Sequence, residues 1–159
     1  MPKPQEDNSE PKQTEEPMKD VQQVAARNEQ RDASKRATFD LLKMKPRAER
    51  EVLLKIPGED GEIQELSMLF RAIGSQEYDK LLSKNPPTLE QKADGSAYNV
   101  NTFGPSLLSK VCIEPDMDTA QWTVIWNSPD WGRGEVMQLF LFAVELCNKG
   151  LDIPFIGND

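Results

Sequence analysis

Few side chains in this sequence are of a type that could carry chemistry, and their spacing argues against it. There is no histidine, which removes Ser-His-Asp and Cys-His catalysis, His-ligated zinc and imidazole acid–base work together. The two cysteines, Cys112 and Cys147, are too far apart for a CxxC site, and both lie in apolar helical contexts. The expectation is a buried, reduced pair, with an inter-helix disulfide as the alternative. The acidic pairs Glu59/Asp60 and Asp116/Asp118 fall short of the oxygen ligands a calcium loop needs and read as solvated turns. Trp122, Trp126 and Trp131 could stack bases, but no basic track accompanies them, so they read as core. Gly132-Arg-Gly134 is a fragment without the rest of a dinucleotide fingerprint, and GxxxxGK[ST], GxSxG and HExxH do not occur. No catalytic residue, cofactor site or metal site is expected, and the chain reads as non-enzymatic.

Charge points the same way. The 159 residues hold 27 acidic and 19 basic side chains, a formal net charge of −8. From Val111 onward only Arg133 and Lys149 are basic, against Glu114, Asp116, Asp118, Asp130, Glu135, Glu145, Asp152 and Asp159. Nucleic acid binding needs clustered Lys and Arg to displace counterions, so no nucleic acid partner is expected. The acidity suits solubility or a basic partner. The longest apolar run, Val136 to Leu146, is too short for a membrane span and contains Gln138 and Glu145. The N-terminus has no apolar signal region. The expected location is therefore a cytoplasm, with no membrane contact.

The elements that would position any site divide the chain in two. Residues 1–36 form a charged arm. Pro2, Pro4, Pro11 and Pro17 make its first part disordered, and a thin stripe of Val21, Val24, Ala25 and Ala26 makes a frayed helix beyond it. Residues 37–159 read as a single folded domain. Glu51-Val-Leu-Leu-Lys-Ile56, the turn Pro57-Gly-Glu-Asp-Gly61 and Ile63 to Phe70 predict a β-hairpin over about 51–70. A helix over 63–72 competes, because Ile63, Leu66, Leu69, Phe70 and Ile73 also share a helical face.

Four helices follow, at about 75–84, 102–113, 118–126 and 129–148. Ser75 is expected to cap the first, and Asn85-Pro-Pro87 to stop it. Phe103, Leu107, Leu108, Val111 and Cys112 share a face of the second, which Glu114-Pro115 ends. Asp118 caps the third, and Ser128-Pro129 starts the fourth. Gly132 and Gly134 would allow close helix approach, and Gly150 would cap the C-terminus. The expected architecture is mainly α (α+β), a small N-terminal hairpin followed by a compact bundle of about four helices.

The last helix is apolar over most of its surface. Val136, Leu139, Phe140, Ala143, Val144 and Cys147 form its stripe, and Leu141, Phe142 and Leu146 widen it. The candidate partner-binding residues are therefore Leu141, Phe142 and Leu146, with Phe155 and Ile156 of the apolar tail. The alternative places all five in the core.

Several segments carry a resemblance. Tyr78-Asp-Lys-Leu-Leu-Ser-Lys-Asn-Pro-Pro87 is a helix followed by two prolines. Asn99-Val-Asn-Thr-Phe103 with Leu107-Leu108, Cys112-Ile-Glu-Pro115, a Trp-bearing helix over Trp122 to Trp126, a second over Trp131 to Asn148, and Asp152-Ile-Pro-Phe155 follow in order. Over roughly residues 50–156 this resembles the tail assembly chaperones of long-tailed, siphovirus-type bacteriophages. The charged N-terminal region and the Asn127-Ser-Pro-Asp130 turn, with Gly132 and Gly134 after it, depart from the pattern. The resemblance implies a protein that coats the tape measure protein and recruits tail tube protein before polymerisation. It also implies residence in the host cytoplasm, absence from the finished virion and, in many members, a longer frameshifted form. A chain ending soon after Phe155 is compatible with the short form, and a homo-oligomer is compatible with coating in many copies. The rivals are a structural tail or head–tail connector protein and a small acidic adaptor acting through the arm.

Overall fold

The computed structural model describes Val21, Gln22 and residues 35–154. The disordered arm expected over 1–36 lies outside the described residues, except for Val21 and Gln22, which are helical and exposed, and Lys35 and Arg36. The chain divides into two units, Met1–Met44 with Asp152–Asp159, and Lys45–Leu151. In the first, helix α1 (Phe39–Lys43) is capped by Thr38, whose Oγ1 accepts the Leu41 N–H at 3.2 Å. Phe39, Leu42 and Met44 of this unit are exposed.

The second unit holds the core. Strands β1 (Glu49–Pro57) and β2 (Ile63–Arg71) form an antiparallel hairpin in which Val52 faces Met68 and Leu54 faces Leu66. The turn closes through Gly58 N–H to Glu62 O at 2.6 Å, with Gly61 at φ 80°. That φ is open to glycine at little cost. The helical alternative for 63–72 loses because even-numbered positions of both strands bury one common face.

Helices α2 (Ser75–Lys84), α3 (Leu89–Ala93) and α4 (Val100–Val111) follow, then strand β3 (Cys112–Glu114), α5 (Thr119–Trp126) and α6 (Arg133–Asn148). The fold is thus mixed α and β, a three-stranded antiparallel sheet in the order β1-β2-β3 with six helices among the described residues. The mainly helical bundle expected from sequence is corrected at Cys112–Glu114. These residues were expected to finish a helix; instead they turn extended and pair with β2 across a bulge. Glu114 precedes proline, which disfavours its helical conformation, and extended backbone beside β2 has a ladder to join.

Helix α4 is the hub, in contact with α2, α5, α6 and β3. Phe103, Leu107, Leu108 and Val111 are buried on it. Phe103 meets Tyr98, Tyr78 and Phe140 at centroid distances of 4.8, 5.7 and 5.7 Å, and Trp126 meets Phe140 at 6.1 Å. Close helix approach falls at Gly104, not at Gly132 or Gly134. A β-carbon on Gly104 would run into the Trp126 ring, while one on Gly134 would meet nothing within 4 Å.

Helix boundaries differ from expectation where a competing cap exists. Gly74, not Ser75, is the N-cap of α2. Helix α6 begins at Arg133 and not Pro129, because Ser128 spends its hydroxyl on the Asp130 N–H in a turn. Glu135 then accepts the Gly132 N–H at 2.6 Å. Helix α4 begins at Val100, where Asn99 Oδ1 accepts the Asn101 N–H at 3.1 Å. Gly150 makes no left-handed cap. Asn148 instead donates through Nδ2 to Val144 O at 2.8 Å.

Candidate partner-binding cleft

Sequence reasoning placed the contact surface on the outer side of the last helix, and the structure does not assemble one there. Leu141 is 55% exposed, whereas Leu146 is 5% exposed and belongs to the core. Helical spacing from Val136, Leu139 and Ala143 carries Leu146 to the same inward face, so its place on an outer surface is corrected. Phe142 is half-buried, its ring 5.4 Å from Phe70 and 5.4 Å below the Arg50 guanidinium. Phe155 and Ile156 lie outside the described residues.

A concave apolar surface forms elsewhere. The inner face of the hairpin is covered unevenly. Phe70, at its base, is sealed by the helices, and Met68, 7% exposed, is the point where the cover ends and a cleft begins. Toward the turn, Leu54 and Ile56 of β1 are half-buried and Leu66 of β2 is 46% exposed. They form one wall of a cleft of about 360 Å³. The opposite wall comes from Pro115 and Met117, Trp122 and Ile125 of α5, Trp131 of the turn before α6, and Leu139 of α6. Ser67 and Glu114 are the polar lining residues.

Each wall has a local cause. Alternation along β1 puts Val52, Leu54 and Ile56 on one face. Asp118 and Gln121 close a capping box that fixes the start of α5, with Gln121 N–H to Asp118 Oδ1 at 2.8 Å. That start turns Trp122 inward. The turn Ser128–Trp131, closed by Trp131 N–H to Ser128 O at 3.2 Å, holds Trp131 half-buried at the rim.

Trp122, one of the lining residues, also carries an unpartnered polar atom. Its Nε1 is the buried side-chain nitrogen or oxygen without a hydrogen-bond partner among the described residues. Trp126, by contrast, donates to Asn101 Oδ1 at 3.3 Å. An unmade buried hydrogen bond of this kind costs about 1–3 kcal/mol.

The cysteines show no reactive character. Cys112 and Cys147 are free. Burial, and then the negative charge of Asp116, push the Cys112 thiol up to about 11, and its Sγ contacts Pro115 O at 3.3 Å. Burial also raises Cys147. A thiol held protonated at neutral pH is a poor nucleophile. Among the described residues no group of three or more Cys, Asp or Glu side chains could hold a metal ion. No helix among them is long and apolar enough to cross a membrane.

Two of the segments that carried the family resemblance, Tyr78–Pro87 and Asn99–Phe103, meet at Asn85 and Asn99, whereas Cys112–Pro115, Trp122–Trp126 and Trp131–Asn148 contribute to the cleft walls. Asn85 is buried and donates to Leu81 O at 2.7 Å, and its own carbonyl accepts the Asn99 N–H at 2.9 Å. Asn99 in turn caps α4 and accepts from Gln91 Nε2 at 3.1 Å. These side chains lock the ends of α2, α3 and α4 together, a structural role. Comparison with protein-family models, curated proteins and solved structures gives no match to this chain.

The cleft was missed because its strand wall was read only as hairpin and its tryptophans only as core. The available signal was the run Val52, Leu54, Ile56 and Leu66, which offers more apolar surface than a two-stranded hairpin can bury alone.

Proposed function

We propose that this chain is a non-enzymatic assembly chaperone of the phage tail type, and that it holds apolar side chains of the tape measure protein in the cleft between the hairpin and α5. The observation that carries the reading is the cleft itself, nearly all apolar and open toward the hairpin turn. A chaperone of an elongated partner needs reversible cover for short apolar stretches, repeated over many copies. A shallow groove that accepts a few aliphatic side chains gives weak, repeatable binding. The ordered motifs from Tyr78 to Phe155 supply the family resemblance, and the net charge of −8 would keep a coated complex dispersed. In this reading the protein acts in the host cytoplasm, recruits tail tube protein once the tape measure is coated, and is absent from the finished particle.

Co-expression with the tape measure protein, encoded close by in such phages, tests it. The expected result is that the otherwise aggregating tape measure becomes soluble and copurifies, while purified particles lack this chain. Failure to associate, together with presence in particles, would replace the reading with a structural tail or connector protein.

A further inference from the structure

Strand β1 lies at an edge of the sheet, with β2 as its partner among the described residues. Gly58 N–H bonds to Glu62 O and Ala72 N–H to Ala48 O, at 2.6 and 2.8 Å. In an antiparallel pair hydrogen-bonded positions alternate. Arg50, Val52, Leu54 and Ile56 therefore spend their backbone groups on β2. The N–H and C=O groups of Glu51, Leu53 and Lys55 point away from it, along an edge with no partner strand among the described residues. All three side chains are exposed, Leu53 at 54%. Pro57, at the end of the strand, has no N–H to offer.

We propose that two copies of this chain pair through β1, antiparallel about a two-fold axis at Leu53, to make a continuous six-stranded sheet. In that register Glu51 stands opposite Lys55 of the second copy and Lys55 opposite its Glu51, while Leu53 meets Leu53. Three residue pairs exchange two backbone hydrogen bonds each. On the inner face Val52 meets Leu54 of the other copy, which joins the two cleft walls into one apolar surface. The charges select the register: centring on Glu51 or on Lys55 would oppose like charges, which destabilises strand pairing. Glu49 is already engaged by Arg71 at 2.6 Å within its own hairpin. Lys55 has only Glu65 across its own hairpin, with no ion pair formed among the described residues. A nine-residue edge with no second partner strand among the described residues can accept an added strand, and its charge pattern is complementary to that of its own copy. The pairing surface is small, so the dimer should be weak and concentration-dependent. The inference stands on the strand edge and is independent of the chaperone reading.

Sedimentation velocity on the full chain over a range of high micromolar concentrations tests it, with circular dichroism melts to check folding. Wild type should show reversible dimerisation. Glu51→Lys and Lys55→Glu, each alone, should weaken it by about tenfold or more through two like-charge pairs. An equimolar mixture of the two variants should recover a heterodimer, because each Glu then meets a Lys. Leu53→Pro, which removes only an outward N–H, should abolish dimers and keep the fold. A wild-type chain that stays monomeric overturns the proposal. So does a dimer that survives Leu53→Pro, or two folded charge variants whose mixture shows no recovery. Binding of an extended segment of another protein at this edge, with no self-association, would likewise replace the second copy as its occupant.

Discussion

The two halves of the hairpin's inner face have similar sequences and opposite fates. Phe70, near the strand end, is 0% exposed under the helical layer, and Met68, 7% exposed, marks the boundary at which the cleft begins. Leu54, Ile56 and Leu66, near the turn, carry equally apolar side chains, yet no helix closes over them. The difference comes from where the helices stop. Phe142 of α6 packs its ring at a tilt against Phe70, whereas α5 is only two turns long and its Trp122 and Ile125 stand across a gap from Leu66. Apolar surface of the same kind serves stability where it is sealed and remains available for binding where it is not.

Substitutions sharpen that contrast, beginning with the sealed half. Phe70→Ala should cost about 3–5 kcal/mol in denaturant unfolding, since it empties a fully packed site. A loss below 1 kcal/mol would mean that the base of the hairpin is not sealed. Alkaline pH should act on the same half through Cys112, the β3 partner of Phe70. Its folded thiol titrates near 11, above the ordinary value of 9.0. Between those values the unfolded chain has released a proton that the folded chain keeps. The stabilisation is therefore complete below pH 9, is lost as pH rises toward 11, and is on the order of 2 kcal/mol. Melts across this range should fall less steeply for Cys112→Ala.

Gly104→Ala tests the layer behind the cleft. Its new methyl group would press on Trp126 and should cost about 1–3 kcal/mol, because both backbones are fixed by packing. The smallest effect belongs to the open half, where Leu66→Ala should cost under about 1 kcal/mol because the side chain is already half in water. A larger loss would mean that the cleft is closed in solution.

The hairpin, the four longer helices and the Asp118 cap could be read from alternation, helical periodicity and capping chemistry. The third strand could not. Val111-Cys-Ile-Glu114 continues the apolar pattern of α4, and only pairing with β2, a tertiary effect, turns it extended. The start of α6 was misplaced because Ser128-Pro129 is a good local helix start, whereas Glu135 bonding to Gly132 defines a better one. For the site, sequence periodicity located the apolar stripe of α6 but left open whether Leu146 faces outward or into the core, where it lies 5% exposed. It also could not reveal that Leu66, Ile125 and Trp131, distant in sequence, border one opening. Which apolar residues stay uncovered depends on the relative lengths of neighbouring elements, and that information is not local.

The most direct test of the cleft compares two single charge insertions in the tape measure co-expression assay. Leu66→Asp places a carboxylate at the mouth of the cleft, and Leu141→Asp places one on the exposed face of α6. Both positions are solvent-facing, so both variants should melt close to wild type. The account predicts that Leu66→Asp loses solubilisation of the tape measure protein while Leu141→Asp retains it. Retention by a folded Leu66→Asp variant, with loss in Leu141→Asp, would contradict the cleft and return the contact surface to the outer face of the last helix.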